Sequence, residues 1–262
     1  MLESYWLRFM AINGLAGKRL LLIRSHRDYD EFLTLASDAR AKVAHIPVID
    51  IEPVIENSKV TQQIVSFDLF DIAIFVSVHA GQIAMQRLDE YWPMLPVGID
   101  YFAIGRQTAS FIKGYVNNVY SPGNNANSEG LLELPELQDV KNKSVVIFRG
   151  GRGRETLSQE LSARGANVEY CDIYRRVRNQ KKLQLAYRQL SEIDFLIAHS
   201  GELLEAMGPL KNLENFVSGN LFSVVVPSQR VAEIAYDLGY GSVFVAKNAL
   251  PESMLAVLEQ NI

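Results

Sequence analysis

Short runs of apolar residues alternate along the chain with segments whose apolar residues recur every three or four positions. The clearest runs are 20–23, 72–76, 145–148 and 222–226. Continuous apolar runs of this length are typical of strands buried on both faces of a parallel sheet. Between them, 155–163 and 108–115 have helical spacing, and we expect Thr108 to cap the second of these helices. The alternation predicts an α/β fold built from crossover units with parallel sheets.

The sequence also contains an internal repeat. Residues 18–49 lie over residues 143–174 at a constant offset of 125, so that Arg24 falls on Arg149. Two further matches follow in the same order, 67–77 over 190–200 and 101–116 over 221–240. Three ordered matches predict two equivalent halves, each a doubly wound α/β domain, and by themselves they suggest that the domains are consecutive.

The second strand of each repeat is unusually long. Residues 43–54 and 167–177 have an extended pattern over 11–12 positions, about twice the length of an ordinary strand. We interpret them as strands that run from one domain to the other. The alternative is an ordinary strand followed by a polar loop.

Composition narrows the class of protein. The chain has 262 residues, 48% of them apolar and 21% charged, which is typical of a globular protein with two domains. A net charge of −4 without clusters of Lys and Arg argues against nucleic-acid and membrane partners. The sequence has neither a signal-peptide pattern nor a membrane-spanning run, so we expect a soluble, cytoplasmic protein. Cys171 has no second cysteine to pair with, which also fits a reducing compartment.

Residues suited to binding anions follow the predicted strands. Ligands of open parallel sheets bind beyond the carboxyl ends of the strands, where helix N-termini present free N–H groups. The candidates in these positions are Arg24, Ser77, His79, Thr108, Arg149, Gly151, Ser200, Gly201, Ser228 and Arg230. Glycine, hydroxyl and guanidinium groups let a carboxylate or phosphate approach closely. For each Ser or Thr, a simple helix cap is the alternative.

Other chemistry is weakly indicated. Gly151 and Gly153 with Asp172 downstream resemble a dinucleotide fingerprint, but Thr156 stands where the third glycine belongs. The four histidines lack the spacing of a metal site, so we expect no metal. Tyr174, followed by two arginines, is a candidate proton donor. Its alternative role is an aromatic plug between the domains.

The segment 149–176, RGGRGRETLSQELSARGANVEYCDIYRR, resembles the bacterial uroporphyrinogen-III synthase family. The resemblance extends to FVSVHAG (75–81), AIGRQTA (103–109), SEGLL (128–132) and SQRVA (228–232). It implies two α/β domains joined by a two-stranded linker with a ligand cleft between them. The implied domains are 18–50 with 176–262, and 53–173, after an extension at 1–17 whose role is unassigned.

The same resemblance implies an activity. The expected reaction is closure of hydroxymethylbilane, a linear tetrapyrrole, with loss of water and inversion of the terminal ring, without cofactor or metal. Tyr174 matches the tyrosine proposed to help the hydroxyl leave, and Ser77, Thr108 and Ser200 match cleft positions. His79 departs from the family pattern and would supply a cationic contact; which of Ser228 and Arg230 meets the substrate stays open.

The resemblance further implies a monomer that makes transient contact with hydroxymethylbilane synthase. Two other functions compete with the cyclase. A two-domain protein that closes on an anionic ligand without chemistry would use the same architecture. A dinucleotide-dependent oxidoreductase is the third hypothesis.

Overall fold

The structure is a computed structural model that describes residues 14–25, 30–123, 125–151, 155–217 and 222–261. The chain divides into two compact units. Unit 1 comprises the residues up to Asp50 and those from Val177 onward, and unit 2 comprises Ile51–Arg176. Most of the N-terminal extension and Gly153 lie outside the described residues.

Strands and helices alternate through the described residues. The strands are β1 (Arg19–Leu22), β2 (Lys42–His45), β3 (Ile49–Pro53), β4 (Ile72–Phe75), β5 (Asp100–Ala103), β6 (Ser144–Arg149), β7 (Asn167–Asp172), β8 (Tyr174–Arg178), β9 (Phe195–Ile197), β10 (Ser223–Val226) and β11 (Val243–Val245). The α-helices are α1 (Glu31–Asp38), α2 (Ser58–Val65), α3 (Val78–Asp89), α4 (Arg106–Ile112), α5 (Ser128–Leu132), α6 (Thr156–Ala163), α7 (Gln180–Gln189), α8 (Gly201–Met207), α9 (Gln229–Asp237) and α10 (Pro251–Gln260).

Each unit is built on a parallel sheet. The strand order is β11-β10-β9-β1-β2 in unit 1 and β5-β4-β6-β7 in unit 2, and every pairing within these sheets is parallel. Leu21 packs in one core cluster with residues of α7 to α9, whereas Leu20 and Leu22 pack in another with residues of α1 and α10. Helices therefore cover both faces, which explains the continuous apolar run. The predicted α/β class is confirmed.

The repeat is visible in matching hydrogen bonds at the strand entrances. In unit 2, Asp71 Oδ2 accepts the backbone N–H of Ser144 at 2.8 Å. In unit 1, Asp194 Oδ2 accepts the backbone N–H of Arg19 at 2.7 Å. The two aspartates are repeat equivalents, and so are the two strands that they bind.

The compact units do not coincide with the consecutive repeats. The unit 1 strands β10-β9-β1-β2 correspond in order to the unit 2 strands β5-β4-β6-β7. Unit 1 therefore takes β1 and β2 from the first repeat and β9 and β10 from the second, while unit 2 takes the remaining part of each.

The two long strands predicted over 43–54 and 167–177 are each divided in two, so that prediction was wrong in detail. The first is interrupted at residues 46–48 and the second at Ile173. Their leading halves, β2 and β7, pair inside the two sheets, and their trailing halves, β3 and β8, pair with each other in a separate two-stranded sheet. The change of partner requires a break in each strand, and Pro47, which has no N–H to donate, lies at one of them.

An ion pair holds the unit 1 side of this small sheet. Asp50 accepts hydrogen bonds from Lys182 Nζ at 2.6 Å and from Asn179 Nδ2 at 2.5 Å. These bonds, above all the one from Lys182, lower the pKa of the Asp50 carboxyl. The start of α7 is thereby fixed to β3.

Candidate functional site

The predicted proton donor lies against a predicted cleft residue. Tyr174 opens β8, its side chain is 2% exposed, and its hydroxyl lies 3.2 Å from Ser77 Oγ. Ser77 follows β4 and caps α3 by accepting the N–H of Ala80 at 3.1 Å. A serine oxygen can accept two hydrogen bonds and donate one, so Ser77 serves the cap and the phenol together.

The backbone of the glycine-rich turn approaches the ring of Tyr174. A Cβ atom at Gly150 would lie 2.0 Å from Cε2 and 2.2 Å from Cζ of that ring. The next residue, Gly151, has a φ of +61°, which favours glycine, and apart from its chain neighbours no atom of the described residues would lie within 4 Å of a Cβ there. The two glycines therefore serve different purposes: one makes room for an aromatic ring, and the other turns the chain.

His79 also borders Tyr174. It lies in the first turn of α3, with its ring centroid 6.2 Å from that of Tyr174 and the two planes inclined by 58°. The structure thus brings together Ser77, His79 and Tyr174, although the tyrosine is far from the other two in the sequence. This cluster lies at the carboxyl end of β4, a central strand of the unit 2 sheet.

Thr108 does not cap a helix, and this prediction was wrong. Helix α4 begins at Arg106 and ends at Ile112, and its N-cap is Gly105 in an extended conformation. Thr108 instead lies in the first turn, 3% exposed, and its Oγ1 would be 3.9 Å from a Cβ atom at Gly105. Gly105 has no side chain to bond to the helix, and the Thr108 hydroxyl lies close to this N-terminus.

The two arginines that follow the first strand of each repeat have internal carboxylate partners. Arg149 Nε donates to Asp172 Oδ1 at 2.7 Å, and its guanidinium carbon lies 3.4 Å from the ring centroid of Tyr170. Arg24, 5% exposed, pairs with Asp30 through both Nη2 and Nε, the latter at 3.0 Å. Because these charges are already matched, neither arginine offers a fully available cation to a ligand.

The remaining unit 1 candidates follow neighbouring strands. Ser200 is the N-cap of α8 after β9, and Ser228 is the N-cap of α9 after β10. Both residues are extended, and neither side chain bonds to its own helix. Gly201 packs against α9, where a Cβ would lie 2.3 Å from Ile234 Cδ1, and Arg230 is exposed in the first turn. The simple-cap alternative therefore holds for Ser77 but not for Ser200 or Ser228.

Several further features bear on the chemistry. Cys171 is buried, and desolvation raises the pKa of its thiol to about 12, which makes it a poor nucleophile at neutral pH. The described residues contain no group of three or more His, Cys, Asp or Glu side chains placed to hold a metal. Within the same part of the chain, every helix is too short or too polar to cross a membrane.

The family of the chain follows from comparison with known sequences. Residues 30–256 match the model of the family described as uroporphyrinogen-III synthase HemD. The chain belongs to the uroporphyrinogen-III synthase family. The match includes ten of the eleven predicted site residues, from Ser77 to Arg230, and leaves out Arg24.

Curated relatives agree with this family. The chain is 34% identical over 224 residues to the uroporphyrinogen-III synthase of Escherichia coli K12, covering 82% of this chain and 89% of the relative. It is 34% identical over 200 residues to that of Salmonella typhimurium LT2, covering 72% and 78%. The similarity therefore spans most of both proteins.

Solved structures share the fold. A uroporphyrinogen III synthase from the extremely thermophilic bacterium Thermus thermophilus superposes with a TM-score of 0.58 at 16% identity, covering 93% of this chain and 98% of the other. The Helicobacter pylori uroporphyrinogen-III synthetase gives 0.57 at 13% identity, covering 92% and 97%. At these identities the comparison establishes the fold of the synthase family for this chain.

Sequence reasoning missed the residues that support the candidates. Asp30 and Asp172 balance the two arginines, and Gly150 accommodates Tyr174. Asp172 was visible only as the acidic residue of a failed dinucleotide motif. The sequence signal for Gly150 was the glycine pair after β6, but nothing in the sequence placed it beside a tyrosine 24 positions later.

Proposed function

We propose that this protein is a uroporphyrinogen-III synthase that closes hydroxymethylbilane to uroporphyrinogen III in tetrapyrrole biosynthesis. The reaction removes one water molecule and inverts the terminal ring, which makes the enzyme a cyclising hydro-lyase. Its single strongest structural support is the contact between Tyr174 and Ser77, 3.2 Å between oxygens, in a chain of this family.

The proposed role of Tyr174 is that of a proton donor. The electron-rich pyrrole assists ionisation of the hydroxymethyl group, so the protein needs only to protonate the departing oxygen. In this step the carbon–oxygen bond breaks, the phenol proton passes to the hydroxyl, and water leaves. General acids of this type supply about 10²–10⁴ in rate.

Ser77 gives the phenol its direction. Ser77 Oγ accepts the Ala80 N–H, and we assign its own O–H as the donor to the Tyr174 oxygen. In that arrangement Ser77 does not hold the Tyr174 proton, which is left to pass to the substrate. The same hydrogen bond stabilises the phenolate that forms as the proton leaves.

The substrate's carboxylates need several separate contacts. In unit 2 we assign carboxylate contacts to Thr108 and His79. In unit 1 we assign them to Ser200, Ser228 and Arg230. Gly151 and Gly201 would let the backbone approach the substrate closely. The N-terminus of α9, nine residues long, adds free N–H groups and a favourable dipole beside Ser228. Arg24 and Arg149 would contribute through donors that their own carboxylates leave free.

The proposed enzyme is a cytoplasmic monomer. Its domains are residues 18–50 with 176–262 and residues 53–173, and it meets hydroxymethylbilane synthase transiently. The unpaired thiol of Cys171 is compatible with a reducing compartment. Size-exclusion chromatography with light scattering measures the molar mass in solution, and the mass of a dimer at micromolar concentration would contradict the proposed monomeric state.

The proposal is tested by a coupled assay from porphobilinogen with hydroxymethylbilane synthase, followed by oxidation and separation of the type I and type III isomers. We expect type III to predominate only when this protein is present. An isomer ratio at its spontaneous value would overturn the proposal and favour the anion-binding hypothesis, which predicts saturable binding of the bilane without turnover.

A further inference from the structure

We infer that Gly150 is a positioning residue for Tyr174: it keeps the space into which the ring must pack for its hydroxyl to reach Ser77. The inference rests on the proposed function of Tyr174 as the proton donor. It concerns a residue that touches neither substrate nor reacting atoms and acts only through the tyrosine.

The ring of Tyr174 is the nearest neighbour of the space at Gly150. The three atoms nearest to a Cβ there are Cε2, Cζ and Cδ2 of Tyr174, at 2.0, 2.2 and 2.5 Å. Ordinary contact begins near 3.4 Å. Since an aromatic ring is rigid and this one is 2% exposed, it cannot fold aside as the end of a long side chain does.

A side chain at position 150 would therefore displace the ring. To restore contact, the ring must move about 1.4 Å, which is the difference between the required separation and 2.0 Å. A displacement of that size is large compared with the range of hydrogen-bonding distances, so we expect it to break the present 3.2 Å contact with Ser77. Misplacement of a reacting group by about 1 Å can cost about 10²-fold in rate.

The internal repeat provides a natural control. At the offset of 125 residues, Gly150 falls on Ser25 and Tyr174 falls on Ile49. Unit 1 has the same strand order at these positions, so the fold itself requires neither a glycine nor an aromatic ring there. The glycine and the tyrosine occur together in unit 2 alone, which indicates a requirement of the tyrosine rather than of the sheet.

The test is Gly150→Ser, which introduces the residue that unit 1 carries. We expect kcat to fall by at least about 10-fold, while KM for the bilane changes by less than about 3-fold. In a Tyr174→Phe background, Gly150→Ser should lower kcat by no more than about 2-fold further, because the hydroxyl that it misplaces is already gone. A merely structural role would instead give the same loss in both backgrounds.

Folding is separated from chemistry by a third variant. Gly150→Ser together with Tyr174→Ile introduces the residue types that unit 1 has at the equivalent positions, Ser25 and Ile49, and removes the ring with which the serine would clash. We expect this double variant to fold even if Gly150→Ser does not, and to stay inactive. Where both fold, the double variant should melt at the higher temperature. A matched control is Gly241→Ser, where a Cβ meets no atom of the described residues within 4 Å beyond its chain neighbours, and wild-type activity is expected.

Each outcome decides the inference. It is overturned if Gly150→Ser keeps kcat within about 2-fold, if its loss is equal in the two backgrounds, or if removing the ring fails to restore stability. Failure of the proposed function itself is recognised separately, because the wild-type protein would then yield no excess of the type III isomer.

Discussion

Replacement of Tyr174 by phenylalanine separates catalysis from packing. The change removes one oxygen atom and the 3.2 Å contact with Ser77, but it keeps the buried ring. Ser77 Oγ still accepts the Ala80 N–H at 3.1 Å, so no capping bond is lost. A net hydrogen bond contributes about 0.5–1.5 kcal/mol, so the free energy of unfolding should fall by about that amount.

The expected effect on rate is much larger. Loss of a general acid lowers kcat by about 10²–10⁴, which corresponds to about 2.7–5.5 kcal/mol of activation free energy. The coupled assay gives kcat for the type III isomer, and urea unfolding gives the stability of the same preparation. A kcat within about 2-fold of wild type would refute the role of Tyr174 as proton donor.

Tyr240→Phe is the matched control. Its hydroxyl is buried and donates to the backbone oxygen of Gly208 at 3.0 Å in unit 1, and Tyr240 is not one of the candidate site residues. Removing it leaves a buried carbonyl without its donor, at a cost of about 1–3 kcal/mol. The control should thus lose more stability than Tyr174→Phe and keep its kcat.

Three further predictions concern stability and reactivity. Cys171 should react with a disulfide reagent at pH 8 only after unfolding, because burial raises its pKa to about 12; modification of the native protein within minutes would contradict this. Asp30→Ala should lower the free energy of unfolding by about 3–5 kcal/mol in urea titrations, because it leaves the buried Arg24 charge unpaired, and a loss below about 1 kcal/mol would be inconsistent with the pair. The N–H of Ser144 lowers the pKa of the Asp71 carboxyl, so the stability that this carboxylate contributes is present above about pH 4 and is lost as the pH falls through the lower pKa of the folded state. Asp71→Asn should flatten this loss of stability in acid unfolding curves, and an unchanged slope would exclude the contribution.

The fold could be predicted to the level of strands and class because burial on both faces leaves a direct trace in the sequence. The run at 145–148 became the interior of β6, and the repeat placed Asp71 and Asp194 in the same role. What the repeat did not indicate is which strands share a sheet. Pairing of β1 with β9 depends on contacts between distant residues, which no local pattern records.

The site could be predicted as a set of positions but not as a set of roles. The rule that ligands meet the carboxyl ends of strands selected Ser77 and Ser200 correctly as residues that follow β4 and β9. It did not distinguish a serine that bonds to its own helix from one that does not, because that depends on a side-chain rotation. It also ranked Arg24 and Arg149 as ligands, since their carboxylate partners are apparent only in three dimensions.

The interleaved order of strands has a consequence for synthesis on the ribosome. Unit 2 is one continuous segment and can form as soon as residue 176 has emerged. Unit 1 cannot form then, because the hydrogen-bond partner of the Arg19 N–H is Asp194, which is synthesised 175 residues later. At about 5–20 residues per second, that delay is roughly 9–35 s. During this interval β1 and β2 stay without their neighbour β9. A nascent chain halted when residues up to about 190 have emerged would carry one finished unit and one exposed apolar edge, a natural substrate for chaperones.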